Sequence, residues 1–136
     1  MDKLRYLLLM LGLALSVSTG PAAHAERAIT VGEKAALQAT MQQHIQRHLV
    51  NGVYLQVDFN TGDVRSLHPL AAHPMILRMG EYFVLCSDFR DDQGRSVNVD
   101  FYIARVGKSH MVFQAVVDDR GSLQRLIRIG KAKPTS

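Results

Sequence analysis

From Val53 to Val117 apolar residues return at every second position, the mark of half-buried strands. At Asp91–Gly94 only one register keeps the two faces of those strands apart. A three-residue loop, Asp92-Gln93-Gly94, puts Gly94 at the left-handed bulge position that such loops want. Asp91 then faces Arg95, while Phe89 meets Val97, Leu85 meets Phe101 and Phe83 meets Ile103 on one face. The other face pairs Asp88 with Asn98, Cys86 with Asp100 and Val84 with Tyr102. A slip of one residue would set polar against apolar along both strands. The chain is therefore built around an antiparallel sheet.

Before Val53 the period changes. Leu37, Met41, Ile45 and Leu49 recur at intervals of four and make one apolar helical stripe. Thr30-Val31-Gly32-Glu33 fits a capping box, with Thr30 accepting from the amide three residues on and Glu33 reaching back to the cap amide. Asn51-Gly52 reads as the stop, since both residues tolerate left-handed backbone. The spacing predicts a helix across about 31–50. Val53, Leu55, Val57 and Phe59 then point one way, with Tyr54, Gln56 and Asp58 the other. Asn60-Thr61-Gly62-Asp63 is turn chemistry leading to a short strand near 64–67. His68-Pro69 through His73-Pro74 reads as a loop, because proline restricts the residue before it and has no amide to donate. That loop could serve as a lid over one end of the sheet or as a rigid connector. Longer strands are expected near 81–90, 95–106 and 109–118, with a tight turn at Val106-Gly107-Lys108-Ser109. Arg120-Gly121 breaks the last strand, and Leu123–Ile129 could be either a short strand or a helical turn.

The expected fold is α+β: one N-terminal helix on a curved antiparallel sheet of four to five strands, with Phe83, Leu85, Phe101 and Ile103 buried against the stripe. In element order and size, residues 30–118 resemble the cystatin-like and NTF2-like architecture. That resemblance implies protease inhibitors, small-molecule isomerases, or binding and dimerisation modules, and so says little about function. The inhibitor branch carries a Gln-x-Val-x-Gly hairpin. The nearest match, Gln56-Val57-Asp58-Phe59-Asn60, lacks the glycine and lies within a strand, and the chain has no tryptophan for the second, Pro-Trp hairpin.

Residues 1–25 have the three parts of a secretory signal. Lys3 and Arg5 precede the apolar run Leu7–Val17, and Gly20-Pro21 and Ala23-His24-Ala25 follow. The run is shorter than the roughly 20 apolar residues of a spanning helix. Cleavage between Ala25 and Glu26 would give a periplasmic or secreted domain of residues 26–136, with no transmembrane segment. Its formal net charge would fall from +4 to +3. The one cysteine excludes an intramolecular disulfide framework. Acids alternate with bases until Arg120, after which Arg125, Arg128, Lys131 and Lys133 make a one-sided basic tail, expected to fray from about 130. Anionic lipid or a polyanion could meet this tail, whereas export argues against nucleic acid.

Two constellations carry candidate chemistry. The register gathers Cys86, Asp88, Asn98, Asp100 and Tyr102 on the face away from the helix. Asp100 as base and Tyr102 as donor would suit the isomerase branch of the resemblance, and Cys86 is a candidate nucleophile whose carboxylate neighbour would raise its pKa. The simpler expectation is a solvated polar face. His44 and His48 stand one helical turn apart on the flank of the stripe, where they could line a small-molecule pocket. They supply two of the three or more ligands a metal needs, so no metal and no cofactor is assigned. His68 and His73, in the proline loop, are further candidates for ligand binding. The leading reading is a non-catalytic exported module for a partner protein or a small apolar ligand. The alternatives are an isomerase- or hydrolase-type enzyme with its site between helix and sheet, and a structural module that dimerises through the outer sheet face.

Overall fold

Thr30 accepts the Glu33 amide at 3.1 Å and starts the first helix, α1, Val31–Arg47. The reciprocal half of the box does not form, because the Glu33 carboxylate is taken by Arg105. Leu37, Met41 and Ile45 are its buried residues. The helix stops short of Asn51-Gly52, with His48 as its C-cap. Leu49 continues the stripe from a different element, β1, Leu49–Val50. Asn51 and Gly52 form the two-residue loop to β2, Val53–Val57. Their φ values of 51° and 84° are what a type I′ hairpin demands. The dipeptide fits both roles, and only tertiary pairing selects the hairpin.

The computed structural model describes residues 28–135. The expected secretory segment and its expected cleavage point at Ala25–Glu26 lie outside the described residues. Among the described residues six strands run as an antiparallel meander in the order β1-β2-β3-β4-β5-β6, with β3 at Val64–Met79, β4 at Tyr82–Asp91, β5 at Ser96–Val106 and β6 at Ser109–Val117. A seventh, β7, Lys133–Pro134, pairs with β3 at Arg78 and Leu77. The β4–β5 register is the expected one from Phe83–Ile103 to Phe89–Val97, and Gly94 has φ 77°.

The expected loop from His68 to Pro74 is instead the middle of the 16-residue β3. Its register shifts between Pro69 and Ala71 and again between Ala72 and Ile76. On the side away from β4, β2 pairs only as far as Leu67 and β7 only from Leu77. The prolines thus have no partner strand on the side away from β4 and lie at register shifts on the β4 side, the edge and bulge settings in which a strand accepts them.

Leu123–Ile129 resolves as part of a helix, α2, Arg120–Arg128. Asp119 caps it by accepting the Ser122 amide at 3.1 Å. The tail behind it is tied to the sheet: Ala132 is buried, and Thr135 donates twice to the Ile76 carbonyl, at 3.0 and 2.9 Å. The fold is α+β with α1 and α2 on opposite faces of one open sheet. Leu37, Met41 and Ile45 pack on the inner face against Phe83, Leu85, Phe89, Phe101 and Ile103. Leu123 and Ala132 pack on the outer face against Leu77, Val84, Cys86 and Tyr102. Among the described residues no helix is long and apolar enough to cross a membrane.

Candidate functional site

The outer face carries the first constellation where the register puts it, with Cys86 opposite Asp100 and Val84 opposite Tyr102. The expected solvated surface is corrected, because α2 roofs it. Cys86 and Tyr102 are 7 % exposed and Asp100 is 1 % exposed. Arg120, from the first turn of α2, brings Nη1 to 3.9 Å from both the Cys86 Sγ and Asp100 Oδ1. With its amide oxygen toward Arg120, Asn98 accepts from Nη2 at 3.0 Å and donates to Asp100 Oδ1 at 2.8 Å. This orientation removes an amide-to-guanidinium clash and supplies partners to a buried carboxylate.

Burial pushes the Asp100 carboxyl above its ordinary value, against the pull of Cys86 and Arg120. Burial first, and then the hydrogen bond and charge of Asp100, push the Cys86 thiol up to about 12. Burial and the Asp100 charge likewise raise Tyr102. A nucleophile needs the opposite setting, and a base needs an open approach to its substrate. The cluster has the chemistry of a satisfied buried network.

His68 and His73, the ligand-binding candidates of the expected proline loop, belong to β3. His73 Nε2 lies 2.7 Å from Asp88 Oδ2 and, as the largest cause, holds that carboxyl below its ordinary value. The His73 carbonyl accepts from Gln38 Nε2 at 3.1 Å, tying β3 to α1. His68 Nε2 lies 3.0 Å from Asp92 Oδ1.

His44 and His48 do border a cavity, of about 100 Å³, between α1 and β6. His110 lines it too, a residue the sequence reading missed although the two-residue period places it on the Val112 face. The His44 and His48 rings stack at 4.0 Å, and His48 Nδ1 is 2.7 Å from the His44 carbonyl. Burial, then His48 and Arg47, lower the His44 pKa. Among the described residues no three His, Cys, Asp or Glu side chains are grouped to hold a metal ion.

A larger groove, about 520 Å³, opens at the hairpin end of the sheet between Asp58, Asp63, Arg65, Asp91, Arg95 and Asp118. Its charges are mostly committed. Asp91 accepts from the Gln93 and Arg95 amides at 3.0 and 2.9 Å and from Arg95 Nε at 2.8 Å. Arg65 reaches Asp91 at 3.9 Å and Asp118 at 3.6 Å.

The outward face of β2 is apolar and uncovered. Tyr54 faces the core, so Val53, Leu55 and Val57 face outward, beyond the reach of α2. Val50 is opposite Val53, and Val64 is opposite Val57. Val50, Leu55, Val57 and Val64 are exposed, and Phe59 at the adjoining turn is 94 % exposed. Single exposed apolar side chains are ordinary, but a cross-strand cluster with a projecting phenylalanine marks an interaction site. No protein-family model, curated protein or solved structure matches this chain. Function therefore has to be argued from these surfaces.

Proposed function

We propose that the chain is an exported, non-catalytic module that binds a partner protein through the outward face of β2 and its neighbours. The observation that carries this reading is the exposed cluster Val50, Leu55, Val57, Val64 and Phe59. A small apolar ligand fits less well, because the space between α1 and the sheet is taken by Leu37, Met41, Phe83, Phe89 and Phe101, all at or near zero exposure. The raised Cys86 pKa and the enclosure of Asp100, 1 % exposed beneath α2, count against the enzyme alternative. One helix followed by an antiparallel meander supports a cystatin-like or NTF2-like plan as part of the same proposal.

Site-specific photo-crosslinking tests it. A benzophenone side chain at position 59 or 55 should yield one defined adduct in the native compartment, and the same group at Gln124 should not. Indiscriminate adducts, or none from either position, would overturn the assignment of this face.

A further inference from the structure

We propose that the solvent side of α2 and the strand-bound tail behind it form a docking surface for an anionic phospholipid bilayer. This inference concerns a different face from the partner-binding cluster and is independent of it. Of the five cations from Arg120 to Lys133, Arg120 is committed inward to Asp100 and Asn98. Arg125, Arg128, Lys131 and Lys133 are exposed, and none lies within ion-pair distance of a carboxylate among the described residues. Asp119, at the start of α2, feels Arg125 only at longer range. No acidic residue follows it in the sequence.

Order matters as much as charge. Leu123 anchors α2 to the sheet, and the Lys131 and Ala132 amides close on the Leu126 carbonyl at 2.9 and 3.1 Å. Lys133 pairs with Arg78 in the sheet. The four cations therefore stand on fixed backbone. Arg125 and Arg128, three residues apart, share the helix face opposite Leu123 and Leu126.

Two further side chains select lipid over a soluble polyanion. Ile127 is 42 % exposed and Ile129 is 61 % exposed, flanking the arginines. A sugar or nucleotide polyanion has no use for them, whereas a bilayer accepts apolar side chains at the headgroup boundary beneath bound cations.

Co-sedimentation of the protein, as recovered from cells, with phosphatidylcholine vesicles lacking or containing phosphatidylglycerol decides the matter. Binding is expected only to the anionic vesicles and should weaken with salt. Each cation removed should lower the partition coefficient about fivefold, so Arg125→Gln with Arg128→Gln should lose roughly 25-fold. Lys131→Gln with Lys133→Gln should lose a similar amount, and keeps the test open if the helix variant folds poorly. Ile127→Ser with Ile129→Ser should weaken vesicle binding and leave retention on a heparin column unchanged. Equal binding to neutral and anionic vesicles would overturn the proposal. So would arginine-dependent binding that is indifferent to the isoleucines, which would assign the surface to a soluble polyanion.

Discussion

An unpaired cysteine in the middle of a strand takes its reactivity from its neighbours, and Cys86 has unhelpful ones. Its thiol faces Asp100 in a low-exposure site roofed by α2, and its pKa rises to about 12. Very little of the thiol is then ionised at neutral pH. Thiol titration of the native protein should show negligible labelling over minutes, and full labelling once denatured. Rapid stoichiometric labelling of folded protein would revive the nucleophile. Asp91 makes a prediction of opposite sign. Burial opposes its ionisation, but the Arg95 and Gln93 donors outweigh burial and hold its pKa below the ordinary value of 3.8. The folded state thus binds that proton less readily than the unfolded chain. The stabilisation is complete above the unfolded value and is lost as pH falls through the folded one. Urea midpoints measured across the acid range should drop steeply for the parent and less steeply for Asp91→Asn, which should also be the weaker protein at neutral pH. Matching slopes would mean that other carboxylates, Asp88 among them, set the acid limb.

Elements were legible where period and turn chemistry agreed. The β4–β5 hairpin could be read to the residue pair because alternation and Gly94 admit one register. The cap of α1 was legible for the same reason of redundancy. Its end was not, because Leu49 extends the helical stripe from a strand. The length of β3 was hidden behind Pro69 and Pro74, whose tolerance depends on where β2 and β7 stop pairing, a tertiary fact. With α2 hidden as well, since its short span has few apolar residues and a glycine, the outer face read as solvated and the buried network passed for a surface. These dependences are measurable. Phe101→Ala, at the centre of the inner core, should cost about 3–5 kcal/mol, and Thr30→Ala about 1 kcal/mol. Leu123→Ala should cost roughly 2–5 kcal/mol and loosen the roof, so that Cys86 labels faster in the native state. Denaturant unfolding and thiol titration on the same sample check both. A Leu123→Ala protein of parental stability, with Cys86 still shielded, would mean that α2 is not what covers the outer face.

The whole molecule spends each sheet face differently. α1 fills the inner face, α2 and the tail cover the outer face around Cys86, and the outward margin of β1, β2 and the start of β3 is left open. The candidate site was thus partly visible in sequence: the alternation of Val53, Leu55, Val57 and Phe59 was plain, but which way it pointed depended on Tyr54 entering the core. This layout bears on self-association. A sheet-to-sheet dimer centred on Cys86 would need α2 to leave, since a cross-chain disulfide requires Cα atoms within about 7 Å and Leu123 packs over that position. The open margin offers a second route, but a small one. The five-residue β2 is about 17 Å long, and two strand widths add about 10 Å. That is on the order of 200 Å², well below the roughly 800 Å² per partner of a stable interface. It is large enough for the apolar centre of a contact whose rim lies elsewhere on a larger partner. Sedimentation equilibrium should therefore find the purified chain monomeric at micromolar concentration. Val57→Lys should leave that mass and the unfolding midpoint nearly unchanged while abolishing the adduct from position 59. A concentration-dependent dimer that Val57→Lys dissociates would instead identify the partner as a second copy of this chain, and would put the dimerisation reading ahead.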